Sequence, residues 1–336
     1  MGDTAREGAG EGVIFMVFTG GTISMALDPR TGAARPALRG ADLLALAPEL
    51  DSLGEHRVDE FGMYPGPHMD PARMLDLARH VEAGLAEPGT VGAVVAHGTD
   101  TLEETSYLLD LVLRTDRPVV FTGAMKTSDE AQWDGRANLW AAGRVAIDPD
   151  AAGRGVLVVL DSTIHAAAEV TKMDTEAFGA FRSPWTGPVG HLDLDRVYFR
   201  SRPESREHLG PMERLETRVD LVAAFVGADD RFLQAALDGG ARAIVLEAFG
   251  RGNIPPAMLP GVRAARDAGV PVVVTSRCAA GRVGPRYGYD GGGAMLQEIG
   301  CILAGGCSSG KARIRLMVLL GAGAGDEALR AAFELG

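Results

Sequence analysis

Three short stretches carry the side chains best suited to bond-making chemistry: Thr19-Gly20-Gly21-Thr22, His97-Gly98-Thr99-Asp100-Thr101 and Val170-Thr171-Lys172. A hydroxyl is a weak nucleophile near neutral pH and needs a base to take its proton. No histidine of the chain has a well-placed acidic partner, which leaves Lys172. A lysine held among apolar strands gives up its proton more readily and can act as a neutral base, while an adjacent carboxylate opposes that change. A Thr99–Asp100–Lys172 relay, with Thr22 free to attack, is therefore physically coherent. The same residues have a plainer reading. Thr99, Asp100 and Thr101 are good helix caps, and most lysines are solvated surface charges. Spacing alone leaves both readings open.

The elements around these residues follow from hydrophobic patterning. Residues 91–96 are apolar and largely β-branched, as in a strand buried on both faces of a parallel sheet. Leu102, Thr105, Leu109, Val112 and Leu113 then recur at helical spacing, and Thr101 with Glu104 forms a capping-box pattern that predicts the helix start. Apolar runs at 13–18, 118–121 and 155–160 end in Thr19–Thr22, Thr122-Gly123-Ala124-Met125-Lys126 and Asp161-Ser162-Thr163. Helices are predicted over 42–47, 71–86 and 134–145, with Pro71 in a first-turn position. This alternation implies a parallel sheet with right-handed crossovers, whose ligands bind at the carboxyl ends of strands. Residues 23–40, with Pro29, Gly32 and Pro36, lack periodicity and read as a mobile lid over Thr22. A polar stretch leads up to Tyr64. Residues 187–200 alternate as a hairpin does, a reading preferred over a metal set of His191, Asp193 and Asp195.

The 336 residues suffice for two domains. The expected fold is α/β, with a larger N-terminal parallel-sheet domain over 13–200 and a smaller C-terminal α/β domain over 219–336. Residues 1–12 read as a disordered leader, and the charged stretch 201–218 as the linker. In the second domain, strands are predicted near 221–225, 243–246, 270–274 and 314–320, and helices over 228–238, 256–268 and 294–304. Gly305-Gly306-Cys307-Ser308-Ser309-Gly310-Lys311 nearly spells a phosphate-binding loop. Ala312 stands where a magnesium-binding hydroxyl is needed and the preceding segment reads as helical, so the stretch reads as a turn into the last strand.

Lysine and arginine total 33 against 45 acidic residues, a net charge of −12 that argues against nucleic acid or an anionic membrane as partner. No apolar run reaches the length of a membrane span, and the start lacks the pattern of a secretory signal, so a cytoplasmic location is expected. Cys278, Cys301 and Cys307 fit reduced thiols better than a disulfide framework.

The stretches TGGTIS (19–24), HGTDTLEETSYLLDL (97–111), FTGAMK (121–126), RGVLVVLDSTI (154–164) and EVTK (169–172) resemble the bacterial form of the L-asparaginase family. TGGTI and HGTDT together, at this separation, are highly specific. The resemblance implies hydrolysis of a carboxamide through a covalent acyl-enzyme, without metal or cofactor. It makes Thr22 the nucleophile, Thr99 and Lys172 a proton-transfer pair, and Asp100 the holder of the substrate's α-ammonium. Gly21 and Gly98 would leave room for oxyanion contacts, and Ala124 would meet the substrate amide through its backbone. It also implies a homotetramer built from tight dimers, with the neighbour's loop 284–293 near the site.

Three departures stand out. No tyrosine lies between Ile23 and Gly40, where the family's lid usually has one. Gly66-Pro67-His68 replaces the usual carboxylate-binding serine and its neighbour, and Arg251 replaces an asparagine before Gly252-Asn253. His68 or Arg251 is therefore the candidate carboxylate ligand. The expected activity is that of an asparaginase. The alternatives are a relative acting on glutamine, a D-amino acid or a peptide-linked amide, or a non-catalytic or partner-bound amidotransferase-like subunit. Such subunits usually carry an added N-terminal domain, for which the leader is too short.

Overall fold

The computed structural model describes residues 12–202 and 207–334. The leader expected over 1–12 lies outside the described residues apart from Gly12. The chain divides into two compact units, one ending at Gly210 and the other beginning at Pro211.

In the first unit, β1 (Val13–Gly20) is followed by β2 (Met25–Leu27), β3 (Ala34–Pro36), α1 (Gly40–Ala45) and β4 (Glu55–Tyr64). Next come α2 (Pro71–Ala86), β5 (Thr90–Ala96), α3 (Leu102–Val112), β6 (Val119–Thr122), α4 (Gly135–Ala146) and β7 (Val156–Leu160). The short strands β8 (Thr163–Ala166), β9 (Thr171–Lys172), β10 (Phe181–Arg182), β11 (Gly190–Asp193) and β12 (Arg196–Phe199) complete it. The main sheet has eight strands in the order β12-β11-β8-β7-β6-β5-β1-β4. β4, β1, β5, β6 and β7 are mutually parallel, so their carboxyl ends share one edge. β8, β11 and β12 extend the sheet in antiparallel fashion, and the last two form the hairpin expected from the sequence.

Alternation along β1 shows why helices cover both faces. Ile14, Met16 and Phe18 join a core with Leu43, Leu50, Leu139 and Val145. Phe15 points the other way, toward α2, where a Cβ on Gly84 would come within 2.0 Å of the phenyl ring.

Four expectations are corrected here. The polar stretch before Tyr64 is the ten-residue strand β4. It is an edge strand paired only with β1, so its half-exposed face tolerates charge. Residues 23–40 are not an unstructured lid: β2 and β3 pair as a hairpin. Pro29 and Gly32, which suggest breaks there, belong to its turn, where Gly32 has φ 67°, and Pro36 ends β3. The hairpin is fastened by Ser128, whose N–H and hydroxyl both donate to Met25 O at 3.0 Å, and by Leu27 N–H on Asp129 Oδ2 at 2.8 Å. The polar loop expected at 161–163 is a two-residue reversal between paired Leu160 and Thr163. Finally, α3 begins where predicted, but Thr101 makes no side-chain cap. Its hydroxyl donates instead to Gly66 O at 2.8 Å.

The second unit contains β13 (Val219–Ala223), α5 (Arg231–Asp238), β14 (Ala243–Ala248), α6 (Leu259–Asp267), β15 (Val272–Ser276), α7 (Gly293–Glu298), β16 (Ile302–Leu303), α8 (Ser309–Gly321) and α9 (Asp326–Glu334). Its four strands form a parallel sheet in chain order. The strand predicted at 314–320 is wrong: those residues lie in α8, a helix buried on nearly every side, which a short apolar run does not distinguish from a strand. The last strand is β16, inside the segment predicted as helical. The glycine-rich stretch 305–311 thus joins a strand to a helix after all. Lys311, however, is only 3% exposed, and Ala312 still offers no metal-binding oxygen.

Leu139 of α4 is fully buried against the parallel strands. Leu139→Ala is expected to lower unfolding free energy by about 2–5 kcal/mol, read from urea denaturation at unchanged m-value.

Candidate active site

The chain passes from β1 to β4 on one side and returns through α2 to β5 on the other. The strand order therefore reverses around β1, and a crevice at the carboxyl edge of such a sheet is the usual ligand position. Loops from β1, β4, β5 and β6 meet there. Threonine hydroxyls lace the strand ends: Thr19 Oγ1 donates to Ala96 O at 3.1 Å, and Thr122 Oγ1 to Val159 O at 2.7 Å.

What draws these loops together is contact of backbone with backbone. A Cβ on Gly21 would lie 2.2 Å from Gly98 Cα, and one on Gly98 would lie 2.7 Å from Gly66 Cα. A Cβ on Gly66 would reach Asp100 Cβ at 3.3 Å. Gly21, with φ 83°, also donates its N–H to Tyr64 O at 2.9 Å. The glycines expected to leave space for a ligand are thus first of all the places where three loops touch. Thr22 follows Gly21 at the start of a single turn, Thr22–Ser24, and is partly exposed.

Thr99 is 4% exposed, and its hydroxyl accepts from Lys172 Nζ at 2.9 Å. The same Nζ lies 2.7 Å from Asp100 Oδ1. The lysine side chain is 19% exposed against 57% for Asp100, so the amine is largely withdrawn from water while the carboxylate faces outward. Lys172 N–H donates to Glu103 Oε2 at 2.6 Å. Next to Thr99, His97 is buried, and its Nδ1–H donates to Gly98 O at 2.8 Å. Burial holds its imidazole down to about 4 from an ordinary value near 6.5, which keeps it neutral.

Ala124 is fully buried on the β6 loop. Asp134 fixes this loop by accepting from Met125 N and Lys126 N, each at 3.0 Å. Asn138 adds Nδ2–H bonds to Gly123 O at 3.0 Å and to Asp134 Oδ2 at 2.9 Å. The sequence reading assigns Asp134 and Asn138 to a helix and gives them no part in the site. An asparagine four residues after an aspartate, on the apolar face of that helix, is the signal that could mark them. Glu103 is missed because the capping pattern singles out Glu104 instead.

Thr22, Thr99, Asp100, Lys172, Gly21, Gly66, Gly98, Ala124 and His68 all belong to the first unit. His68 is exposed, in the short turn after Pro65, and its carbonyl accepts from Arg73. Arg251 belongs to the second unit, in the exposed turn bracketed by the Phe249–Asn253 bridge.

This arrangement can be set beside known proteins. The family description "Asparaginase, N-terminal" matches residues 13–205, and "Glutaminase/Asparaginase C-terminal domain" matches residues 218–333. The chain belongs to the asparaginase family. It is 41% identical to a probable L-asparaginase of Deinococcus radiodurans, over 96% of this chain and 97% of the relative. It is 33% identical to a subunit of the glutamyl-tRNA(Gln) amidotransferase of Methanosarcina mazei, over 92% of this chain and 74% of the relative. A crystal structure of a probable cytoplasmic L-asparaginase from Campylobacter jejuni superimposes with a TM-score of 0.88 at 27% identity, covering 96% of this chain and 99% of its own.

Two outcomes are expected. Gly98→Ala forces Gly66 and Gly21 apart and should destabilise the protein by about 1–3 kcal/mol, as overpacking does. Gly288→Ala, which meets nothing within 4 Å, should leave the urea midpoint unchanged. Folded His97 refuses a proton that the unfolded chain accepts near pH 6.5. Stability is therefore intact above pH 6.5 and declines as pH falls toward 4, by up to roughly 3 kcal/mol. Denaturation midpoints between pH 7 and 4.5 should fall less steeply in His97→Asn.

Proposed function

We propose that this carboxamide hydrolase converts L-asparagine to L-aspartate and ammonia, with Thr22 as its nucleophile. The observation that carries the reading is the Lys172 amine held at once on the Thr99 hydroxyl and the Asp100 carboxylate. Thr22 Oγ attacks the side-chain amide carbon and its proton passes toward the Thr99–Lys172 pair. The tetrahedral intermediate breaks its C–N bond, ammonia departs with the returned proton, and an ester to Thr22 remains. Water, deprotonated by the same pair, then attacks the ester and frees aspartate. The exposed Asp100 carboxylate is suited to the α-ammonium, and the backbones at Gly21 and Gly98 to the developing oxyanion. Ala124 offers its backbone to the amide, and Gly66 lines the approach. His68 or Arg251 is the proposed carboxylate ligand.

The departure at Gly66-Pro67-His68 keeps a second reading alive, in which another amide, such as that of glutamine or a D-amino acid, is preferred. The Methanosarcina amidotransferase relative supports an amide presented by a larger partner. The higher identity to the Deinococcus relative favours the free amino acid. A cytoplasmic location and a homotetramer are proposed with it. The first is supported by the description of the Campylobacter structure, the second by the family resemblance.

Ammonia release measured over L-Asn, D-Asn, L-Gln and peptide amides decides among these readings, with L-Asn expected to be fastest. Thr22→Ala and Lys172→Met should each lower kcat by at least about a thousandfold at an unchanged unfolding midpoint. A Lys172→Met enzyme with full activity would remove the relay.

A further inference from the structure

We infer that Glu103 is a positioning residue: it sets the reach of the Lys172 amine by holding that residue's backbone. The inference rests on the catalytic role proposed above for Lys172. The strand that carries Lys172 is a weak support by itself. β9 is two residues long and pairs only with the two-residue β10, and Met173, which follows, is 49% exposed. So short a ladder cannot hold a long, flexible side chain to one geometry.

The support comes from α3. Glu103 stands in its first turn, and its carboxylate accepts Lys172 N–H at 2.6 Å. A bond between a charged acceptor and a backbone N–H is about twice as strong as a neutral one. Thr99 and Asp100, which grip Nζ, lie immediately before the same helix. Both ends of Lys172 are therefore referred to one short stretch of chain, residues 99–103. That stretch is rigid, because α3 is buried from Leu102 through Val112 along most of its surface. Movement of the β9 segment is then resisted at both the backbone and the amine of Lys172, because each is tied to that stretch.

The neighbouring carboxylate does not duplicate the anchor. Asp174 is engaged by its own turn, accepting from Glu176 N at 2.8 Å and Ala177 N at 2.9 Å. A cavity of about 390 Å³ lies beside the lysine, lined by Asp100, Glu103, Lys172, Met173, Asp174 and Thr175. It gives the segment room to relax if the Glu103 bond is lost. The Glu103 carboxylate is needed here for its oxygen and its reach, and it touches no reacting atom.

The test uses the full chain and five variants. Glu103→Ala and Glu103→Asp, the latter one methylene too short, should each lower kcat about a hundredfold, the scale of an ångström's misplacement, with KM within twofold. Glu103→Gln, whose amide oxygen can accept the same N–H, should recover to within about fivefold of the parent enzyme. Glu103→Ala added to Lys172→Met should cost nothing beyond Lys172→Met alone, because the two act as one unit. Crystal structures of Glu103→Ala and Glu103→Gln provide a readout independent of turnover: Nζ should leave Thr99 in the first and stay on it in the second. A parent enzyme releasing no ammonia from any amide tested would defeat the proposed activity, while these structures would still judge the anchor. Retention of the Nζ–Thr99 contact in Glu103→Ala, a Gln variant no better than Ala, or failure of both Ala and Asp variants to fold would each overturn the inference.

Discussion

Two chain segments can pass backbone against backbone only where neither carries a side chain, and the loop cluster at the carboxyl edge of the first unit's sheet is built on such a crossing. Gly21, Gly98 and Gly66 occupy it, one from the loop after each of β1, β5 and β4. The parallel sheet brings the three loops to one edge, but strand spacing alone leaves them about 4.8 Å apart at the nearest. The missing side chains close the remaining gap. They bring the hydroxyl of Thr22, carried one residue past its glycine, into the same loop cluster as Thr99 and Asp100. Neutral, buried His97 and the Asp134–Asn138 pair then stiffen the floor beneath that cluster.

The parts of this arrangement differ in how plainly the sequence announces them. The strands β1, β5, β6 and β7 are buried on both faces and read as continuous apolar runs, so they and their terminal loops are legible. The threonine loops and Lys172 are legible as residue types, and the order of their motifs points to the asparaginase family. The edge strand β4 is not legible, because its single partner leaves it free to carry charge. Its loop nevertheless supplies Gly66 and the Tyr64 carbonyl that receives Gly21 N–H. α8 fails for the opposite reason: burial on nearly every side erases the amphipathic period that marks a helix. Glu103, Asp134 and Asn138 escape notice because their work is to hold backbone, and that depends on which distant loop arrives opposite them.

The same distinction explains where this chain departs from its family's motifs. Its departures fall at Gly66-Pro67-His68, at Arg251 and in the hairpin after Thr22, and apart from the buried Gly66 they occupy exposed or partly exposed positions. Of the glycines that set the crossing of loops, Gly21 and Gly98 match the motifs, whereas Gly66 opens one of the departing stretches. A backbone contact admits no gradual alteration, whereas an exposed side chain can be exchanged without moving its neighbours. Under the proposed function, substrate preference then belongs to the exposed rim.

The reversal after β7 has a consequence of its own. Asp161 and Ser162 have φ of 48° and 56°, the left-handed pair that a tight two-residue hairpin requires, although neither is glycine. Asn138 Oδ1 secures the turn by accepting Asp161 N–H at 3.0 Å. From there outward, neighbouring strands run in opposite senses, so beginnings and endings of strands alternate along the border. The series of like-facing loops stops at that point, and the margin they share ends with β7.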